Sequence, residues 1–496
     1  MEDTLALLLS DGYKQVHAEQ FPKGLTKLVS YLTPRRSRLV TEDEMVFFGL
    51  QAFCQKYLID YFNDNFFGID ENEVVRQYTR VIDVMLGKGN YNLQKVINLH
   101  RLGYLPLDIH AIPEGTMVPM GVPCIEITNT HPDYAWVVQW VESLMSSEMW
   151  KPCVHATVGH MYRRIVNKWY KETVDDNIPR HKAISDFGFR GMSCREEATK
   201  ASAAWLLSFS GTATIPAIPF LEKYYLCNCE SELVGTNAIS TEHSVMSSNF
   251  AVDGDEVTMI RRLLNEIYPH ASFSMVSDTY DYWNLVQNIL PQVKEDVLGH
   301  DGKLLIRPDS GDVVDISVKT IAALWDIFGG SINSKGYKVL DPHIGCVYGD
   351  SVTPNRANTI YKRLARNGFA SNNIVFGAGS FSFTCYEGAD GTLSPYTRDT
   401  FNVAVKATAG WIGERYIPIF KDPKTDRETS FSFKKSHRGC IKVFRDEDGH
   451  LTFTQGHDHI DHDFGGDAMK RVFCNGLMVT PSTLQEIRKR LNNNDF

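Results

Sequence analysis

From about residue 180 the chain repeats one pattern: a short apolar run ends in a small polar cluster, and a helical stretch follows. The runs are Ala183-Ile184-Ser185-Asp186-Phe187, Leu206–Thr212, Ala238–His243, Phe273–Asp278, Leu304–Asp309, Ile344–Asp350 and Ile374–Gly379. Alternating strands and helices imply a parallel sheet, because each return to the same strand direction needs a crossover and the helix is that crossover. All seven units together predict a barrel, with an open doubly wound sheet as the alternative. In either fold ligands gather at the carboxyl ends of the strands. The polar tips are therefore the candidate site.

Local signals mark some crossovers. Asp312 is placed to cap a helix over Val313–Phe328, and Pro354 suits a first helical turn, with Gly368 past the end. Before the repeats, Leu107–Ile112 and Val122–Thr128 read as strands and Trp136–Trp150 as an amphipathic helix. After residue 400, Phe401–Lys406, Cys440–Phe444 and Leu451–Thr454 are strand-like, and a helix is expected near Ser482–Leu491. The expected division is an irregular α/β barrel over 147–399 and a flanking α/β sandwich domain built from 1–146 and 400–496.

A net charge of -9 argues against a nucleic-acid binder, because phosphate backbones attract basic surfaces. Ten dispersed cysteines and no leader-like or membrane-length apolar run lead us to expect a reduced, cytoplasmic protein with no membrane partner.

The tips carry residue types suited to an anionic ligand. Gly349-Asp350-Ser351 and Gly377-Ala378-Gly379-Ser380 let backbone N–H groups approach an anion, or are plain turns. Arg307 and Asp309 suit a phosphate or carbonyl and ribose hydroxyls, or form an internal ion pair. His243, beside Glu242, could be a base, a metal ligand, a phosphoryl acceptor or a structural residue. Phe187 offers a stacking face with Arg190 nearby, or packs in the core. The run His457–Asp463 reads as a solvated loop, with metal binding as its alternative, and no metal ligands are assigned. Lys421, Lys424, Lys434, Lys435 and Arg438 form a basic stretch, either a solvated face or a polyphosphate clamp.

Read together, these residues resemble the nicotinamide phosphoribosyltransferases of the nicotinate/nicotinamide phosphoribosyltransferase family. The motifs run nearly end to end: Asp11-Gly12-Tyr13-Lys14, Tyr31–Arg35, Phe48–Gln51, Asp186–Gly191, Glu242-His243-Ser244, Val276-Ser277-Asp278, Ile306–Gly311, Gly349-Asp350, Thr397-Arg398-Asp399 and Phe420–Pro423. The resemblance implies a homodimer that joins nicotinamide to 5-phosphoribosyl 1-pyrophosphate, yielding the mononucleotide and pyrophosphate for NAD salvage. It implies a pyridine ring between Phe187 of one subunit and Tyr13 of the other, with Arg307 and Ser274 at the carboxamide. Asp309, Gly349, Asp350 and Gly379 would hold ribose and phosphate. Arg35, Arg190, Arg398, Lys406 and Lys421 would surround pyrophosphate and the 5-phosphate. ATP would phosphorylate His243, Asp278 would stand near it, and Mg²⁺ would accompany pyrophosphate.

The chain departs from that pattern at four places. Ala213 stands where the family has an Asp that accepts the amide NH₂. Ala404 replaces a hydroxyl, Ser380 replaces a glycine, and Phe381–Pro395 is longer. Nicotinate as the base and a non-catalytic homologue therefore stay open alternatives, with a barrel metallohydrolase more remote.

Overall fold

The computed structural model describes residues 4–388, 390–423 and 435–496. Lys424 and Lys434 of the basic stretch lie outside the described residues. The chain forms two units: Met1–Ala156, Glu222–Cys227 and Tyr396–Asn493 make the first, and Thr157–Leu221, Asn228–Pro395 and Asn494–Phe496 the second.

The second unit is an α/β barrel. Its parallel strands are β1 (Ile184–Phe187), β2 (Gly211–Thr212), β3 (Ile239–Ser240), β4 (Phe273–Val276), β5 (Leu304–Arg307), β6 (Ile344–Tyr348) and β7 (Ile374–Gly379). The sheet runs β2-β1-β7-β6-β5-β4-β3. A single parallel bridge, Gly211 to Thr236, joins β2 to the approach to β3 and closes the ring in chain order. Strands β2 and β3 have only two residues each, so closure is irregular.

Strands β1 and β5 alternate between fully buried and half-buried residues. Asp186 points outward, accepting the hydroxyl of Ser202 on the helix Arg195–Trp205. Its neighbours Ser185 and Phe187 therefore face the barrel interior, since successive side chains alternate across a strand. The inward residues are the less buried set, so the barrel interior is partly open beneath the tips.

Both expected helix signals act as anticipated. Asp312 accepts the backbone N–H groups of Val314 and Asp315 at 3.1 and 2.8 Å, opening Val313–Phe328. Pro354 begins the helix Pro354–Arg366, and Gly368 follows at a left-handed φ of 75°.

The first unit centres on an antiparallel sheet ordered Arg415–Pro418, Ala404–Ile412, Leu25–Thr33, Ile125–Asn129, Leu107–Ala111, Lys470–Cys474 and Leu477–Met478. A second hairpin pairs Cys440–Arg445 with Leu451–His457. The C-terminal helix Leu484–Asn492 starts at a capping box of Thr483 and Glu486.

Candidate active site

At the barrel mouth the chain gathers charge on three neighbouring tips. Arg307, last residue of β5, donates to the Thr241 carbonyl at 2.9 Å, and its Nε lies 3.3 Å from Asp309 Oδ2. The backbone N–H of Asp309 and the hydroxyl of Ser310 donate to Asp278 Oδ2 at 3.1 and 2.5 Å. Asp278 Oδ1 is buried without a hydrogen-bond partner among the described residues. His243 opens the helix Asp253 closes; its Nε2 is 3.8 Å from Asp278 Oδ1 and its Nδ1 3.1 Å from the Thr279 hydroxyl. The imidazole is 53% exposed, so a ligand can reach it. Burial raises the Asp309 pKa, Arg307 opposes this, and Asp278 adds to the rise.

Phe187 lies across the tips of β6 and β7. A Cβ at Gly377 would stand 2.3 Å from the Phe187 ring, and one at Gly349 would stand 3.6 Å away. Only glycine at 377 permits that approach, which leaves the ring beside Asp309, 3.4 Å from the same Gly349 position. Asp186 anchors the segment: its carboxylate accepts from Gly188 N–H at 2.7 Å, Thr212 at 2.7 Å and Thr214 at 3.0 Å. Ser274 sits within β4, 2% exposed, its hydroxyl unpartnered among the described residues. Asp350 lies two residues past the end of β6, Gly379 is the last residue of β7, and Arg190 is exposed after β1.

The other expected residues belong to the first unit. Arg35, Arg398, Lys406 and Lys421 line a cleft of about 480 Å³ with Arg36, Arg38, Asp399, Asn402 and Ala404. Arg35 is held by the Asn402 carbonyl and side-chain oxygen at 3.2 and 2.8 Å. Lys406 donates to Glu142 at 3.1 Å, and Lys14 donates to the other oxygen of that carboxylate at 2.5 Å. Arg36, Arg38, Asn402 and Glu142 were not anticipated. The run Arg35-Arg36-Ser37-Arg38 was the available signal for two of them, whereas nothing near Glu142 indicates its partners. Tyr13 is 59% exposed, its hydroxyl 3.2 Å from Asp11.

Residues 182–477 match the model of the nicotinate phosphoribosyltransferase family. The chain belongs to that family. Residues 5–109 also match the N-terminal domain model of nicotinamide phosphoribosyltransferase. Among similar proteins are two called nicotinamide phosphoribosyltransferase. One, from Acinetobacter baylyi, is 37% identical over 97% of this chain and 96% of its own. The other, from Xanthomonas campestris pv. campestris, is 29% identical over 97% of each. Two solved structures share the fold. Nicotinate-nucleotide pyrophosphorylase from Pyrococcus furiosus has a TM-score of 0.59 at 12% identity, covering 99% of this chain and 96% of its own. Human nicotinic acid phosphoribosyltransferase has 0.57 at 14%, covering 98% and 93%. The family makes this chain a pentosyltransferase that acts on small molecules in pyridine nucleotide salvage.

In this phosphoribosyltransferase the His457–Asp463 run is a loop beyond its first residue, with Asp458, His459 and Asp463 exposed, and it departs from a solvated loop at His462. His457 ends a strand, and His462 is held by Glu126 at 3.0 Å and Asp467 at 2.7 Å. His110 stacks on it at 3.8 Å. Burial alone would lower the His462 pKa, but the hydrogen bonds its ring donates to Asp467 and Glu126 carry it to about 9. His110, buried beside that cation, falls to about 4. No described helix is long and apolar enough to cross a membrane.

Proposed function

We propose that the protein is a nicotinamide phosphoribosyltransferase that forms nicotinamide mononucleotide and pyrophosphate from nicotinamide and 5-phosphoribosyl 1-pyrophosphate. The observation that carries this reading is the Phe187 ring laid over Gly377 and Gly349 next to the Arg307–Asp309 pair. That places a flat apolar face, a planar cation and a carboxylate at one barrel mouth. A pyridine ring stacks on Phe187 while Arg307 donates to its carboxamide oxygen, with Ser274 nearby. Asp309, Asp350 and the Gly349 and Gly379 backbone hold ribose and phosphate. Orienting the ring nitrogen toward the anomeric carbon supplies much of the catalysis, and cations stabilise the departing pyrophosphate.

Arg35, Arg190, Arg398, Lys406 and Lys421 are the cations assigned to pyrophosphate and the 5-phosphate. The exposed ring of Tyr13 is offered to a second subunit, whose Phe187 it would face across the pyridine in a homodimer. Mg²⁺ fits the donor set, because a hard cation takes carboxylate oxygens and Asp278 Oδ1 is buried without a partner beside Asp309. It would offset charge on the leaving group. His243 takes the γ-phosphoryl of ATP on a ring nitrogen as ADP leaves, and water then cleaves the phosphohistidine. All ten cysteines are free thiols, which supports a reducing compartment such as the cytoplasm.

A second reading, nicotinate as the base, is favoured by Ala213. Its N–H donates to the Asp186 carbonyl at 2.8 Å, and its methyl offers no acceptor to an amide. The test is steady-state assay of full-length protein with phosphoribosyl pyrophosphate, Mg²⁺, either base, and with or without ATP, the mononucleotide read by mass. A kcat/KM for nicotinate equal to or above that for nicotinamide would replace the first reading with the second. No product with either base would favour a non-catalytic homologue.

A further inference from the structure

Behind the cationic cleft the first unit holds a smaller cavity of about 150 Å³. It shares Arg35, Ala404 and Lys406 with the cleft and adds Tyr31, Thr408, Lys435 and Ser436 to its walls. No carboxylate among the described residues lines it. The volume is well below the roughly 300 Å³ at which sites for larger organic ligands begin.

Thr408 is built to face this cavity. In the strand pair Leu25–Thr33 and Ala404–Ile412, Val29 opposes Ala409 and Ser30 opposes Ala407, so Thr408 is the extra residue of a bulge. Bulges re-aim a side chain out of the ladder. The Thr408 carbonyl accepts the N–H groups of Ile419 and Gly439, both at 2.8 Å, which fixes the bulge. The residue is 1% exposed, yet its hydroxyl has no hydrogen-bond partner among the described residues. A buried polar group without a partner is destabilising, so the site awaits one.

The opposite wall is tied to the cleft. Ser436 N–H donates to the Lys421 carbonyl at 3.0 Å, and Lys421 N–H donates to the Ser436 hydroxyl at 2.7 Å. These two bonds carry the exposed Lys435 beside the cavity. The Tyr31 hydroxyl donates to Glu126 at 2.5 Å and accepts the Ile441 N–H at 3.0 Å, so it forms a fixed wall.

We propose that this cavity is a subsite for one tetrahedral oxyanion, with the Thr408 hydroxyl as donor and Lys435, Lys406 and Arg35 as countercharge. The anion is either free inorganic phosphate or the distal phosphate of a chain whose inner phosphates occupy the cleft. Only the second source rests on reading the cleft as a diphosphate site.

The test is calorimetric titration of the full-length protein with pyrophosphate, with tripolyphosphate, and with inorganic phosphate under saturating pyrophosphate. Thr408→Val keeps the side-chain shape and removes the donor; Lys435→Ala removes an exposed cation and spares the core. Each is expected to weaken the ligand that reaches the cavity by about tenfold, because a hydrogen bond to a charged group is lost. Pyrophosphate affinity should stay within about twofold of wild type, since no cleft contact changes. Loss confined to tripolyphosphate identifies the distal phosphate; loss of phosphate under saturating pyrophosphate identifies the free anion. Wild-type affinities for both ligands in both variants overturn the subsite. Failure of the unsubstituted protein to bind pyrophosphate overturns the reading of the cleft instead, and inorganic phosphate titrated alone into wild type and both variants then decides the cavity.

Discussion

The Nε2 of His243 stands 3.8 Å from Oδ1 of Asp278, a carboxylate only 4% exposed whose other oxygen accepts the Asp309 N–H. One buried carboxylate thus connects the proposed phosphoryl acceptor to the tip proposed to hold ribose. Removing the imidazole should abolish the response to ATP and leave the ATP-independent rate. His243→Ala is therefore expected to incorporate no label from γ-labelled ATP. Asp278→Asn, which keeps the shape and removes the charge, should slow labelling on the order of 10²-fold, the scale of one electrostatic contact. Full ATP stimulation in His243→Ala refutes the assignment.

The Asp309 carboxyl is raised by burial, then restrained by Arg307. If ionised Asp309 is required, kcat/KM falls on acidification at a pH above the ordinary carboxylate range. Arg307→Ala removes the restraining cation, so the acidic limb should shift further up in addition to any loss of base binding. For stability the sign is opposite to that of a salt-bridged acid. A folded-state pKa above the unfolded one means the native state binds the proton more tightly, so Asp309 costs stability as pH rises through that window. A pH–rate profile of the two proteins checks the limb; an unmoved or lowered limb removes Arg307 as the restraining charge.

The strand tips were legible because each apolar run ends abruptly in polar residues. Asp312 and Pro354 were legible because capping and first-turn chemistry are local. What closes the barrel was not: one bridge, Gly211 to Thr236, carries no composition signal. The same is true of Glu142, whose partners Lys14 and Lys406 lie 128 and 264 residues away. His462 reads as part of a solvated acidic run because the groups that bury it, Glu126 and His110, are supplied by a distant sheet. Departure from the family at Ala213 was visible in the sequence, and the structure adds that its backbone is already committed to Asp186.

That departure yields a direct test of base choice. Ala213→Asp restores an acceptor for an amide NH₂ and sets a negative charge against a carboxylate. The ratio of kcat/KM for nicotinamide over nicotinate should rise by about tenfold or more, since hydrogen bonding in a site discriminates strongly between analogues. The two bases assayed on both proteins give the ratio. An unchanged value means that the carboxamide does not lie against residue 213.

The His462 cluster predicts a pH-dependent stability in the first unit. Its folded pKa, about 9, lies above the unfolded value of 6.5. The stabilisation is therefore fully present below about 6.5 and is lost as pH rises through about 9. His110 has the opposite sign: its folded value near 4 means its contribution is present above 6.5 and lost as pH falls toward 4. His462→Gln should cost about 2 kcal/mol near pH 6, the scale of hydrogen bonds to a charged group. The cost should shrink above pH 9.5, about half a unit past the folded pKa. Thermal melts of both proteins across pH measure this, and a difference that stays constant excludes the imidazolium.

Gly377 offers a way to move the Phe187 ring without touching any charge. An alanine Cβ there would lie 2.3 Å from the Phe187 ring and 2.8 Å from the Gly349 Cα. The backbone cannot yield cheaply, so the ring must turn away from the β6 and β7 tips. Overpacking of this kind typically costs about 1–3 kcal/mol. If Phe187 is the stacking face, part of that cost appears in substrate binding: KM for the base should rise on the order of tenfold, while KM for phosphoribosyl pyrophosphate changes less. Phe187→Ala should raise the same KM without the steric strain, so the two variants separate loss of the ring from its displacement. If both leave the KM for the base at the wild-type value, the pyridine lies elsewhere in the barrel.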